Sequence, residues 1–340
     1  MIQPLPFSPR GAVTGVGSLP MTDPQEAIQF VETCCPEVPF WPQLPRRSAS
    51  ESMVEQVLGP LKPFLKPAEG VSRFGYDVRD GALSEFIQAL GAAPVGLDDD
   101  RAAGFFAFEH ALQNGSFRKA LALKGQLIGP ITLSGLLFLN GRSFLHEPAL
   151  AGKVGAYLER VAHWQIDRLK VFGRPVLMFF DEPGFGCLAK KELLVNELLR
   201  VLSAGLQSVR RRGAFCGLHC CASGPYKLMC EAGPDVISFD ADQDLDAFFN
   251  EPSATEFVRQ GGSVAFGLVP TCLTDRSFDT EKVFARWKTA LEKCVNFPDV
   301  AKQSFITASC GLGLRPQDEA ELTFKFAGAL HDIVRKRLEM

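Results

Sequence analysis

No charge of either sign dominates this sequence. Lysine and arginine number 36 against 39 aspartates and glutamates, a net charge of −3, with a pI near 6.0. That leaves no electrostatic case for nucleic acid or anionic lipid as a partner. Long apolar runs are missing too, so no segment reads as a bilayer span. The opening residues, MIQPLPFSPRGAV, lack the apolar core of a signal peptide. Ten cysteines occur without the short, regular spacing of a secreted disulfide scaffold. Two adjacent pairs, Cys34-Cys35 and Cys220-Cys221, suit a reducing compartment. These absences predict a soluble, cytoplasmic protein with no membrane attachment.

What the sequence does hold is core-forming material, 46% hydrophobic in 340 residues, enough for one large α/β domain or two smaller ones. Short apolar runs that read as strands recur at 12–17, 38–41, 124–128, 175–180, 214–218, 235–239, 263–268 and 305–308. Helical patterns intervene at 80–90, 101–114, 148–172, 190–211, 226–232, 255–260 and 281–294, and 316–339 closes the chain. Asp23 and Pro24 read as the cap and first residue of another helix, and 70–77 as a hairpin. Strands apolar throughout, alternating with helices, mean a parallel sheet covered on its outer face. Eight of them in this length predict a (β/α)8 TIM barrel over about residues 12–335, one domain spanning 1–340, with an insertion between the second and third strands. An open doubly wound sheet would want a Gly-rich phosphate loop after the first strand, and GVGSLP does not supply GxGxxG.

Polar residues gather where these strands give out. Ser18 follows the first, Asp181 and Glu182 the fourth, His219 and Cys221 the fifth; Asp240 ends the sixth and Cys310 follows the eighth. In a parallel barrel all of these lie at one mouth, the face on which active sites are built. His219 and Cys221 stand two apart on an extended backbone and so point to the same side. With Cys310, and a carboxylate from a third strand end, they make a zinc site with room for a substrate sulfur. The competing reading takes the cysteines as small core groups and His219 as a satisfied buried histidine. Cys220 would point away into packing, and Cys216, Cys230, Cys272 and Cys294 would fill space. His110, His146, His163 and His331 sit in contexts that suggest no chemistry.

The segments TGVGSLP, KGQLIGPITL, VLMFFDEPGFG, GLHCC, DVISFD and ASCGLGLRP, in this order across 13–316, resemble the catalytic barrel of cobalamin-independent methionine synthase. That family belongs to a superfamily shared with uroporphyrinogen decarboxylase and corrinoid-dependent methyltransferases. The resemblance implies that His219, Cys221 and Cys310 are zinc ligands and that Asp240 takes the place of a ligand glutamate. It also implies that Asp181, beside Glu182, meets the substrate's amino group and that Gly17-Ser18 grips its carboxylate. The family's catalytic histidine, in the loop after the seventh strand, has no counterpart, because 269–272 reads VPTC. The catalytic proton carrier is therefore left unassigned. Folate-using members carry a second, N-terminal barrel for which this length leaves no room, whereas short relatives take methyl groups from a corrinoid protein.

The expectation is a zinc-dependent methyltransferase acting on a thiol, homocysteine first, with a methylcobamide or corrinoid protein as donor in preference to methyl-tetrahydrofolate. Two rivals stand beside it. One is a metal-free decarboxylase of the porphyrinogen type that grips an acidic substrate with Arg46 and Arg47. The other is a non-catalytic zinc or thiol-binding module.

Overall fold

The computed structural model describes residues 2–70, 74–92, 95–190, 194–273, 278–293 and 295–339. Its strands are β1 (Ala12–Val13), β2 (Leu65–Pro67), β3 (Tyr76–Val78), β4 (Leu123–Ile128), β5 (Leu137–Leu139), β6 (Arg142–Ser143), β7 (Val176–Asp181), β8 (Phe215–Cys220), β9 (Val236–Phe239), β10 (Ser263–Val269) and β11 (Ser304–Ala308). Seven of them form one sheet, in the order β1-β11-β10-β9-β8-β7-β4, and every pairing in it is parallel. The sheet curls, consistent with a TIM-like barrel.

The second of the expected strands, 38–41, does not form a ladder. It meets β4 through a single bridge, Phe40 to Lys124, and Gln43 bridges to Ser18 just beyond β1. Its backbone nevertheless reaches both edges of the sheet. The Lys124 N–H donates to Pro39 O, the Gln43 N–H to Gly17 O and the Leu19 N–H to Gln43 O, each at 2.9 Å. Pro39, Pro42 and Pro45 account for the difference, since proline has no N–H to give to a ladder.

Two apolar groups separate by side-chain phase. Ala12, Val38, Ala122, Leu177, Phe179, Phe215, Val236, Ala265 and Phe305 pack together inside the curl, while the other faces of the strands join the larger core under the helices. Each buried Leu or Phe of this plug contributes about 1.5–3 kcal/mol, enough to support a polar layer above it. Period-two alternation then fixes what that layer contains. Two residues on from Ala12, Ala122, Phe179 and Val236 come Thr14, Lys124, Asp181 and Ser238, and from Phe305 comes Thr307. Four residues on from Phe215 comes His219.

Outside the sheet, Asp23 caps the helix Pro24–Cys34 as its sequence predicts, accepting the Gln25 and Glu26 N–H groups at 2.7 and 3.0 Å. The long helices Pro148–Lys170, Val195–Arg211 and Gln317–Glu339 each bury one apolar face. The expected hairpin at 70–77 is displaced: β2 and β3 pair antiparallel with Leu65 opposite Val78, and 71–73 lie outside the described residues. β3 also pairs with β5, which pairs with β6, giving a second sheet β2-β3-β5-β6. This small sheet draws on chain from both sides of β4, so it is not the product of one inserted segment. Among the described residues no helix is long and apolar enough to cross a membrane.

Candidate metal centre

β8 is buried along its whole length, and its inward phase ends on His219. That imidazole is 3% exposed. Its Nδ1 lies 2.9 Å from Ser238 Oγ on the neighbouring strand β9. Its Nε2 is buried and has no hydrogen-bond partner. A buried ring nitrogen without a partner is costly. Cys221, just past the end of β8, and Cys310, just past β11, bring their thiols to the ring, and all three donor atoms lie within 4.8 Å of one another. Cys220, between His219 and Cys221, turns outward into the core.

The two half-buried thiols shift in opposite directions: Cys221 and His219 draw Cys310 well below the usual thiol range, while Cys310 and burial push Cys221 far up. One imidazole nitrogen and two sulfurs, with Nδ1 already beside a hydroxyl, are a donor set of the kind that can hold a metal ion with a position left open. The residues present therefore fit a zinc ion.

Asp240 is not part of that cluster. Its Oδ1 accepts the Gln243 N–H at 3.1 Å and caps the helix Ala241–Asn250, a helix the sequence reading passed over. Asp181, in register with His219, is 5% exposed and its Oδ1 has no partner. Burial raises it to about 6, opposed by His219 and Lys124. Glu182 is already committed: it accepts the Ile131 N–H at 2.8 Å and both the Thr132 N–H and the Thr132 hydroxyl at 2.6 Å. Burial raises it to about 7 against those contacts.

Ser18 and Gly17 stand beside the Cys310 turn. Ser18 Oγ accepts the Gly313 N–H at 3.1 Å and its carbonyl accepts the Leu312 N–H at 3.0 Å. A Cβ on Gly311 would come within 2.4 Å of Ser18 Oγ, so only glycine lets the two turns approach. Of the two arginines considered for acid binding, Arg47 pairs with buried Glu51 at 2.6 Å and Arg46 donates to Leu314 O at 3.1 Å. Cys272 is exposed after β10, and 274–277 in that loop lie outside the described residues.

The structure thus brings His219, Cys221, Cys310, Asp181, Gly17 and Ser18 to the polar end of the sheet, with Asp240 and Glu182 engaged at helix starts. Sequence reading missed Ser238, which holds Nδ1, and Lys124, which reaches Val16. The signal for both was available in the phase of their strands, two residues beyond Val236 and Ala122.

No model of a known protein family matches the chain, and no curated protein matches it. Among solved structures it is similar to a B12-independent methionine synthase from a Shewanella species in complex with selenomethionine, with a TM-score of 0.61 at 15% identity. That likeness covers 96% of this chain and 98% of the other. It is also similar to a methyltransferase from Methanosarcina mazei, with a TM-score of 0.51 at 13% identity, covering 97% and 96%. At such identities the likeness is one of fold.

Proposed function

We propose that this protein is a zinc-dependent S-methyltransferase resembling methionine synthase, with homocysteine as acceptor and a methylcobamide, free or on a corrinoid protein, as donor. The observation that carries the reading is His219, whose buried Nε2 has no partner and which brings a ring nitrogen within 4.8 Å of the thiols of Cys221 and Cys310. The fold likeness supports it, because both similar structures are described as methyl-transferring enzymes and one was solved with selenomethionine, an amino acid of the class we propose as product. We further propose one domain, an eight-stave barrel in which 38–44 serves as the second stave.

Zinc held by these donors would favour the acceptor's thiolate over its thiol at neutral pH. The chain's own residues do the positioning. Gly17 and Ser18 hold the carboxylate of the acceptor, and Asp181 takes its ammonium with the oxygen that lacks a partner. On metal loading Asp240 would fill the remaining position until the acceptor's sulfur takes it, which would require Asp240 to release the Gln243 N–H. In the transfer a sulfur–carbon bond forms while the donor's bond to the methyl group breaks, its electron pair remaining with the donor. The thiol proton has left before this step.

Metal analysis and turnover test the reading together. Purified protein is expected to hold one zinc and to methylate homocysteine from methylcobalamin much faster than from methyl-tetrahydrofolate. Full activity in zinc-free protein would overturn the metal assignment, and efficient use of the folate alone would overturn the donor.

A further inference from the structure

The inward layer carries one charge that this chemistry leaves unused. Lys124 is 2% exposed, and its ammonium meets neutral groups: Val16 O at 2.7 Å, Gln126 Oε1 at 3.1 Å and the Phe179 ring, 4.8 Å from its centroid. Among the described residues no carboxylate hydrogen-bonds to it. Asp181 on β7 acts on it through space but without a hydrogen bond; a buried ammonium so weakly paired is costly, and a site that keeps one has a use for the charge.

The Val16 carbonyl belongs to the same peptide as the Gly17 N–H. That peptide is trans, so its carbonyl and N–H point in opposite directions. The ammonium therefore pulls on one end of a dipole whose other end faces away from it. Neither the Gly17 nor the Ser18 N–H has an acceptor among the described residues, although Gly17 is buried. Ser18 Oγ receives the Gly313 N–H, which leaves its own proton free to donate. A Cβ at position 17 would lie 2.9 Å from the Gln126 side chain, so that side chain backs the turn closely. The turn thus offers two N–H groups without acceptors and a hydroxyl proton close to a fixed positive charge, donors that an anion can take. A cavity of about 580 Å³ opens beside Ser18.

We propose that Lys124 is a positioning residue for the acceptor's carboxylate, orienting and polarising the Val16–Gly17 peptide so that the Gly17 and Ser18 N–H groups hold that anion. The inference rests on the reading that the acceptor is an amino-acid thiol. Hydrogen bonds in series strengthen one another in a low-dielectric interior, so a charge at one end of the peptide is felt at the other. Burial lowers Lys124 to about 8, with Asp181 on β7 and Cys35 at the end of the first helix opposing the fall. A carboxylate held there favours the protonated form.

Lys124→Met keeps the length and removes the charge. The informative substrates are homocysteine and 3-aminopropane-1-thiol, which is homocysteine without its carboxylate. The ratio of kcat/KM for the first over the second should fall roughly tenfold or more, the effect of weakening a charge-assisted contact, mainly through KM and with zinc content unchanged. Equal losses for both thiols, as a purely structural lysine would give, or no loss, would overturn the role. If the variant does not fold, the unmodified protein decides by calorimetry at about pH 8.5 in buffers of different ionisation enthalpy. Homocysteine should then take up protons beyond those taken up with 3-aminopropane-1-thiol, and equal uptake would overturn the role. A wild type that binds neither thiol removes the acceptor reading and this one with it. Turnover of both with an unchanged ratio removes only the role of Lys124.

Discussion

At Cys310 the neighbouring Cys221 and His219 favour the thiolate of a half-buried sulfur, even though burial alone favours its proton. In metal-free protein the rate of iodoacetamide labelling at Cys310 should therefore stay flat from about pH 6 to 8, while free cysteine in the same tube speeds up about tenfold per unit. A Cys310 rate that climbs with the reference would show that Cys221 and His219 do not favour the thiolate in this way, and zinc should suppress labelling at every pH. Cys310→Ser should abolish tight zinc binding yet leave the melting midpoint close to wild type, because the core closes without the ion; a collapsed fold would make the site structural instead. Adding homocysteine to zinc-loaded protein should bring one further sulfur scatterer to the metal by X-ray absorption. His219, Cys221 and Cys310 were legible in the sequence because imidazole and thiol are uncommon, soft donors that attract notice wherever strands end. Lys124 was not. Within KGQLI it is one polar letter in a strand, and its meaning depends on a carbonyl 108 residues away.

A carboxylate joins two of the elements here in addition to their apolar faces. Glu182 fastens the start of the helix Pro130–Leu136 to the end of β7, and a Cβ at Gly129 would come within 2.2 Å of it. Because burial raises Glu182 above its unfolded value, the fold binds that proton more tightly than the unfolded chain does. The associated stabilisation is complete below 4.5 and is lost as the pH rises through about 7. Glu182→Gln should flatten the stability profile across that window by up to about 3 kcal/mol in denaturant titrations; an unchanged profile would show that another group sets it. The strands and long helices were legible because hydrophobic period and Asp-Pro starts are local signals. The helix Ala241–Asn250 was not, and Asp240 explains why. A carboxylate between a strand and a polar run reads equally as ligand or as cap, and only the fold shows it receiving the Gln243 N–H.

For the molecule as a whole, alternation within each strand was the most informative pattern, since it sets an apolar plug below and a polar layer above from the same residues. The proline-rich passage 38–44 was the least legible, because its pairing depends on both edges of the sheet meeting it. The N–H groups of Leu19, Trp41 and Gln43 each rest on a backbone bond made at these isolated bridges, whereas β7 and β8 sit in continuous ladders on both sides. Local opening follows such differences. In deuterated water the amides of Leu19, Trp41 and Gln43 should exchange well before those of β7 and β8. Homocysteine seated at Gly17 and Ser18 should slow them, while protection that is uniform without it would show that this line is no weaker than the rest. Gln43 donates to the carbonyl of the same Gly17 whose N–H we propose as a donor to the acceptor. Seating the acceptor and latching the curled sheet along its open edge would then be a single event.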